Sequence, residues 1–132
     1  MVITMEQKQL IYIQFLKLRG KVSTVADVPG NLLFDCNNEW IGIEITNDEN
    51  EDVIILPFIK QIDFPLYQAV LIKKPRSQQI LFHKNSKIFN KLDILCNVDV
   101  IDGELFGIEI ILTQEKIELS EVVKPFVKRY LD

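Results

Sequence analysis

A seven-residue pattern occurs twice in this chain. Glu39-Trp40-Ile41-Gly42-Ile43-Glu44-Ile45 returns as Glu104-Leu105-Phe106-Gly107-Ile108-Glu109-Ile110, displaced by 65 residues in a chain of 132. Recurrence at half the chain length predicts that one local structure is built twice. A turn signal precedes each copy. Asp102-Gly103 is among the strongest hairpin dipeptides, because both central residues of a tight hairpin turn need positive φ. Asn37-Asn38 holds the same place in the first copy. The expected elements are two antiparallel hairpins, residues 32–35 with 40–45 and residues 94–100 with 104–112.

Strand geometry sends alternate side chains to opposite faces. Uninterrupted alternation predicts Ile41, Ile43 and Ile45 in the core, with Trp40, Gly42 and Glu44 opposite. Phe106, Ile108 and Ile110 against Leu105, Gly107 and Glu109 repeat the division. A glycine within a strand marks a bulge, a bend or a close approach by another element. Either an apolar neighbour covers Gly42 and Gly107, or the two glycines flatten a surface for a partner, with Glu44 and Glu109 at its edge.

The resemblance between halves continues. Asp52 to Lys60 matches Ser120 to Lys128 through a shared Pro-Phe-aliphatic-Lys, now displaced by 68 residues. Asp52 and Ser120 are good helix caps, which predicts a short helix after each hairpin, distorted or begun at Pro57 and Pro125. Thr4 and Gln7 have capping-box spacing, Ile11, Phe15 and Leu18 recur at helical spacing, and Gly20 suits a helix exit. A helix over residues 5–19 is expected, although the run Leu10-Ile11-Tyr12-Ile13 also suits a strand. Pro29-Gly30 predicts a turn between strands at 22–26 and 32–35. Residues 67–72 and 79–83 read as two further strands. The expectation is therefore one α+β domain over residues 1–132. Its repeat units lie near 22–64 and 88–132, joined by a basic β segment at 65–87.

Charge is segregated along the chain. From Asp27 to Asp63 there are nine acids and one base, and from Asp93 to Glu121 eight acids and one base. Residues 64–92 contain no acid but carry Lys73, Lys74, Arg76, Lys84, Lys87 and Lys91. Acidic repeats favour a basic partner or pairing between copies of the chain, and disfavour a broad nucleic-acid surface. The plainer alternative is that these charges solvate exposed strands and turns. No apolar run reaches bilayer length and the opening residues lack a leader pattern, so a cytoplasmic location without membrane contact is expected. Cys36 and Cys96 read as isolated core thiols, with a disulfide or a reactive thiol as the alternatives.

Chemistry is sparsely signalled. Glu44 and Glu109 would form a symmetric carboxylate pair if the hairpins faced each other, and Asp35, Asp99, Asp102 and Glu104 are further oxygen donors. Acids near hairpin turns are ordinary, and their separations are not fixed by sequence. His83, the only histidine, has no nucleophile predicted beside it and reads as a surface residue at a strand end. Phosphate loops, paired-cysteine zinc patterns and serine elbows are absent. No catalytic residue, cofactor or metal is assigned.

The segment from Leu33 to Ile45, and again that from Asp99 to Ile110, resembles a small uncharacterised bacterial domain family. Its members end a β-meander with an aspartate-rich strand and turn followed by Gly-Ile-Glu-Ile. The likeness covers about a fifth of the chain, without the family's upstream Tyr-Asp-x-x-x-Asp. It implies a β-meander and no established function.

These features predict a non-enzymatic protein-binding protein, concretely an immunity or inhibitor protein that covers a basic toxin or nuclease site. The candidate contacts are Asp35, Glu39, Trp40, Gly42, Glu44, Asp102, Glu104, Gly107 and Glu109. The competing expectations are a self-associating module, such as a homodimer, and a small enzyme or ligand-binding domain using Trp40 and the repeat carboxylates.

Overall fold

A computed structural model gives the fold and describes residues 1–6, 9–17, 20–46, 56–57, 59, 69–112, 121, 123–127 and 129–131. The described residues form nine strands: β1 (Val2–Glu6), β2 (Leu10–Gln14), β3 (Ser23–Phe34), β4 (Trp40–Thr46), β5 (Val70–Lys73), β6 (Ser77–Leu81), β7 (Asn90–Ile101), β8 (Glu104–Ile111) and β9 (Arg129–Leu131). They make one sheet in the order β5-β6-β4-β3-β7-β8-β2-β1-β9, antiparallel except where β9 joins β1. The α+β expectation is therefore wrong, and the protein is almost entirely β.

The expected N-terminal helix is a hairpin of β1 and β2, with Glu6 opposite Leu10. Ile3, Met5, Ile11 and Ile13 are buried while their neighbours are not, a period of two rather than 3.6. The run at Leu10 to Ile13 is the strand, and Thr4 of the supposed capping box lies in β1. The helix expected after the first hairpin falls almost wholly outside the described residues. After the second, Glu121 and Val123 are helical and a short 3-10 helix follows at Lys124–Phe126, with proline in its first turn and no side-chain cap. Pro29-Gly30 is likewise no turn, because β3 runs straight through it. Pairing of β3 with β4 stops at Gly30↔Ile45, so the missing proline N–H falls where that ladder ends.

The strand order reads symmetrically from its middle. β3 and β7 pair through Asn31↔Asp93, Pro29↔Leu95 and Val28↔Cys96. Since Leu95 is 66 residues after Pro29, that pair lies on an approximate twofold axis relating β3 to β7 and β4 to β8. Beyond β4 comes the hairpin β5–β6; beyond β8, in the equivalent place, comes β1–β2 from the chain start. The registers match in detail. Each inner strand carries a one-residue bulge, at Ile41 between Trp40 and Gly42 and at Phe106 between Leu105 and Gly107. The carbonyl of each bulge residue accepts a backbone hydrogen bond from a phenylalanine: Phe82 N–H to Ile41 at 2.9 Å, Phe15 N–H to Phe106 at 2.8 Å. Ile13-Gln14-Phe15 is thus the counterpart of Ile80-Leu81-Phe82.

One apolar cluster takes residues from β1 to β4 and β6 to β8, together with Leu56, Ile59 and Val123. A flat sheet of nine strands would be roughly 38 Å wide and could not bury one face on itself, so the sheet curls around this core. Trp40 meets Phe82 and Phe126 edge-on at ring distances of 4.8 and 5.3 Å. Gln78, also buried, accepts from the Ile59 N–H at 2.7 Å and donates to the Pro57 carbonyl at 3.0 Å, tying that segment to β6.

Candidate functional site

The bulges decide which side chains reach the outer face of the sheet. A bulge adds a residue to one strand and shifts its alternation. Trp40, placed with Glu44 by simple alternation, instead pairs with Phe34 and lies in the core with Ile43 and Ile45. Ile41 moves to the outer face, in a small cluster with Leu33 and Leu81. Leu105 and Phe106 exchange places in the same way: Leu105 joins the core with Ile108 and Ile110. The indole Nε1 of Trp40 donates to the Gly42 carbonyl at 2.7 Å. Trp40 is 1 % exposed and belongs to no surface.

Both glycines are buried, for different local reasons. A Cβ at Gly42 would run into the backbone carbonyl of Ile80 on β6, and a Cβ at Gly107 into the Tyr12 ring on β2. Neighbouring strands of this chain occupy the space that the absent side chains leave.

Glu44 and Glu109 share the outer face, each beside a symmetry-related asparagine. Asn31 Nδ2 donates to Glu44 Oε1 at 3.2 Å, and Asn97 Nδ2 donates to Glu109 Oε1 at 3.1 Å. Glu44 also accepts from Gln79 Nε2 at 2.5 Å and Lys91 Nζ at 3.2 Å. Burial favours its neutral form, but the hydrogen bonds from Gln79 and Lys91 and the charges of Lys91 and Lys74 outweigh it. The carboxyl is held below its usual value. Glu109 has Tyr12 opposite instead. The Tyr12 hydroxyl donates to Asp99 Oδ2 at 2.5 Å, and Thr24 donates to Asp99 Oδ1 at 2.7 Å. Burial, the Asp99 hydrogen bond and the charges of Asp99 and Glu109 raise the phenol and keep it protonated.

The carboxylates do not converge. Glu44 and Glu109 lie three strand spacings apart and four residues apart along the ladder, about 19 Å in all. A glycosidase pair needs about 5–10 Å. Asp35 and Glu39 belong to the β3–β4 turn, where Asp35 Oδ1 accepts from the N–H groups of Asn37 and Glu39 at 2.9 and 3.0 Å. Asn38 takes φ 59° there, in a turn longer than two residues. Asp102 and Glu104 belong to the β7–β8 turn, where Asp102 and Gly103 have the expected positive φ, 49° and 75°. Because β3 and β7 are antiparallel, these tips lie at opposite ends of the sheet, about 35 Å apart. Among the described residues no group of three possible metal ligands occurs. No described helix is long and apolar enough to cross a membrane. His83 is exposed just beyond β6. Both cysteines are free, Cys36 exposed rather than in the core, and Cys96 buried with its thiol pushed up to about 12 by desolvation.

The residues that set the outer face apart were not among the sequence candidates. A transverse row crosses four neighbouring strands. Pro29 pairs with Leu95, Ile111 follows one step beyond the Cys96↔Ile110 pair, and Ile111 pairs with Leu10. Leu95 is 60 % exposed and Ile111 56 % exposed, at positions that an alternating strand gives to polar side chains. The same face of β7, β8, β2 and β1 carries Asp93, Asp99, Glu109 and Glu6 against one base, Lys91, which is paired to Glu44. Beside the row a hollow of about 390 Å³ is lined by Pro29, Asn31, Thr46, Asp93 and Leu95. Two exposed leucine-class side chains breaking strand alternation were the available signal. Comparisons of the chain with protein-family models, curated proteins and solved structures return no match.

Proposed function

We propose that this is a non-enzymatic binding protein whose open sheet face receives a basic, partly apolar protein partner, as an immunity or inhibitor protein covers a cationic site. The observation that carries the reading is the exposed row at Leu95 and Ile111 within a face whose charges are predominantly acidic. Exposed apolar residues with a charged rim suit a protein interface. An acidic face opposes phosphate backbones, which disfavours nucleic acid. It also disfavours a second copy of the chain on this face, since like charges would then be juxtaposed. The enzyme reading lacks geometry, because Trp40 is buried, Glu44 is held by three donors and Glu109 lies far from it.

Affinity capture compared with a Leu95→Asp/Ile111→Asp double variant tests this, with light scattering on both proteins. The expected result is a monomer that retains a basic protein as a one-to-one complex, lost in the double variant and weakened by salt. A native dimer dissolved by the same substitutions would make the second copy the occupant. Identical captured sets for both proteins would remove the face from consideration.

A further inference from the structure

A second hollow, of about 470 Å³, opens between the β3–β4 turn, at Asp35 and Cys36, and the segment that joins β6 to β7. Asp35 lies about 20 Å along the strand direction from Pro29, so this hollow is separate from the row at Leu95 and Ile111. Its floor is Ile41, which the β4 bulge turns to the outer face against Leu33 and Leu81. Two contacts hold its far wall in place. Ile88 packs on the same cluster, and the Phe89 N–H donates to the Phe34 carbonyl at 2.8 Å. The backbone of Phe89 is thus fixed, yet its ring, at 75 %, is the most exposed large apolar side chain among the described residues.

The polar part of the lining is rich in donors. The Lys87 ammonium, the Asn85 amide and the Ser86 hydroxyl can all donate. None of these three side chains has a hydrogen-bond or ion-pair partner among the described residues. Asp35 is the one carboxylate in the lining, and its Oδ1 already accepts the Asn37 and Glu39 N–H groups at 2.9 and 3.0 Å. A metal ion would find a single carboxylate there, and an organic cation would face Lys87. A nucleic-acid strand would run its phosphates against the acidic turn that carries Asp35 and Glu39. Free donors above an apolar floor instead suit a compact molecule with an apolar body and one anionic oxygen group. The volume lies within the range of small-molecule pockets, about 300–1,000 Å³.

We infer that this hollow binds a small apolar carboxylate, whose anionic group is held by Lys87, Asn85 and Ser86 and whose body lies on Ile41 and Ile88 against the Phe89 ring. The inference goes beyond the reading of the open face and does not depend on it. Lys87 then selects for charge, while Phe89 supplies area to acid and neutral ligand alike.

The test is a nuclear magnetic resonance titration of the full chain with 1-naphthylacetate and with 1-naphthylacetamide, which keeps the ring and loses the charge. The acid is expected to shift the amides of Cys36, Ile41, Lys87, Ile88 and Phe89 saturably, and to slow the reaction of exposed Cys36 with a thiol reagent. The neutral compound is expected to bind about fivefold more weakly, the size of one partly exposed ion pair. Lys87→Gln, an exposed substitution, should bind both compounds alike, at the level of the neutral one. Phe89→Ala should weaken both by the same factor and keep their ratio. Lys21→Gln, beyond the opposite end of β3, makes the same change in net charge and should keep the acid's advantage. If Lys87→Gln still prefers the acid by the wild-type ratio, or if neither compound shifts these amides, the inference is overturned.

Discussion

At Gly103 φ is 75° and a Cβ would meet nothing within 4 Å, whereas at Gly42 a Cβ would strike the Ile80 carbonyl. Gly103→Ala should therefore cost only the left-handed conformation, about 1 kcal/mol. Gly42→Ala must push two strands apart and should cost about 2–3 kcal/mol; urea unfolding of both variants checks the order. Gly107 is crowded by a side chain, so Gly107→Ala should cost less in a Tyr12→Ala background, and a double-mutant cycle reads that coupling. Glu44 adds a pH dependence. Its folded-state value lies below the unfolded one, so its contribution is present above the unfolded value and is lost as pH falls through the folded value. Glu44→Gln should flatten the acid limb of stability below the ordinary carboxylate range, measured by denaturation across pH. Native protein should react with a thiol reagent at Cys36 and not at buried Cys96. The hairpin at Asp102-Gly103 was legible because two residues suffice to specify that turn. The fates of the repeated glycines were not, because each depends on a different neighbour, a carbonyl or a tyrosine, brought up from elsewhere in the chain.

The hairpins β3–β4 and β7–β8 follow from turn residues and alternating apolar positions, which are local properties. The bulges at Ile41 and Phe106 are not visible in the same way. They set the tryptophan in the core and return an isoleucine and a phenylalanine to the outer face, the reverse of simple alternation. What secures each bulge is the N–H of Phe82 or Phe15, and both phenyl rings are fully buried. Phe15→Ala and Phe82→Ala should each cost about 3–5 kcal/mol, and similar values from thermal or urea unfolding would show that the two halves use the phenylalanines alike. The N-terminal segment misled because Ile11 and Phe15 are spaced for a helix, while Ile11, Ile13 and Phe15 are equally spaced for a strand. The helical alternative lost to the unpaired edge of β8, where β2 makes a full ladder.

Across the molecule, the chain start completes the second half of the sheet as β5–β6 completes the first. Deleting residues 1–15 would uncover the edge of β8 and expose Ile108 and Ile110, each 0 % exposed in the folded protein. Loss of a cooperative melt and of near-ultraviolet dichroism is the expected outcome. The charge segregation of the sequence is partly cancelled in space, since Lys91 of the basic stretch pairs with Glu44 of the first repeat, while the other half of the outer face keeps its acids around Leu95 and Ile111. By itself the sequence determined the duplicated hairpins, the Asp-Gly turn and a core built on the repeated isoleucines, because these depend on residues adjacent in the chain. Tertiary structure alone decided that Trp40 is core, that the repeat carboxylates stand apart and that an apolar row faces outward. Each of those depends on strand register and on which strands become neighbours, and a one-residue shift in register exchanges the two faces of a sheet.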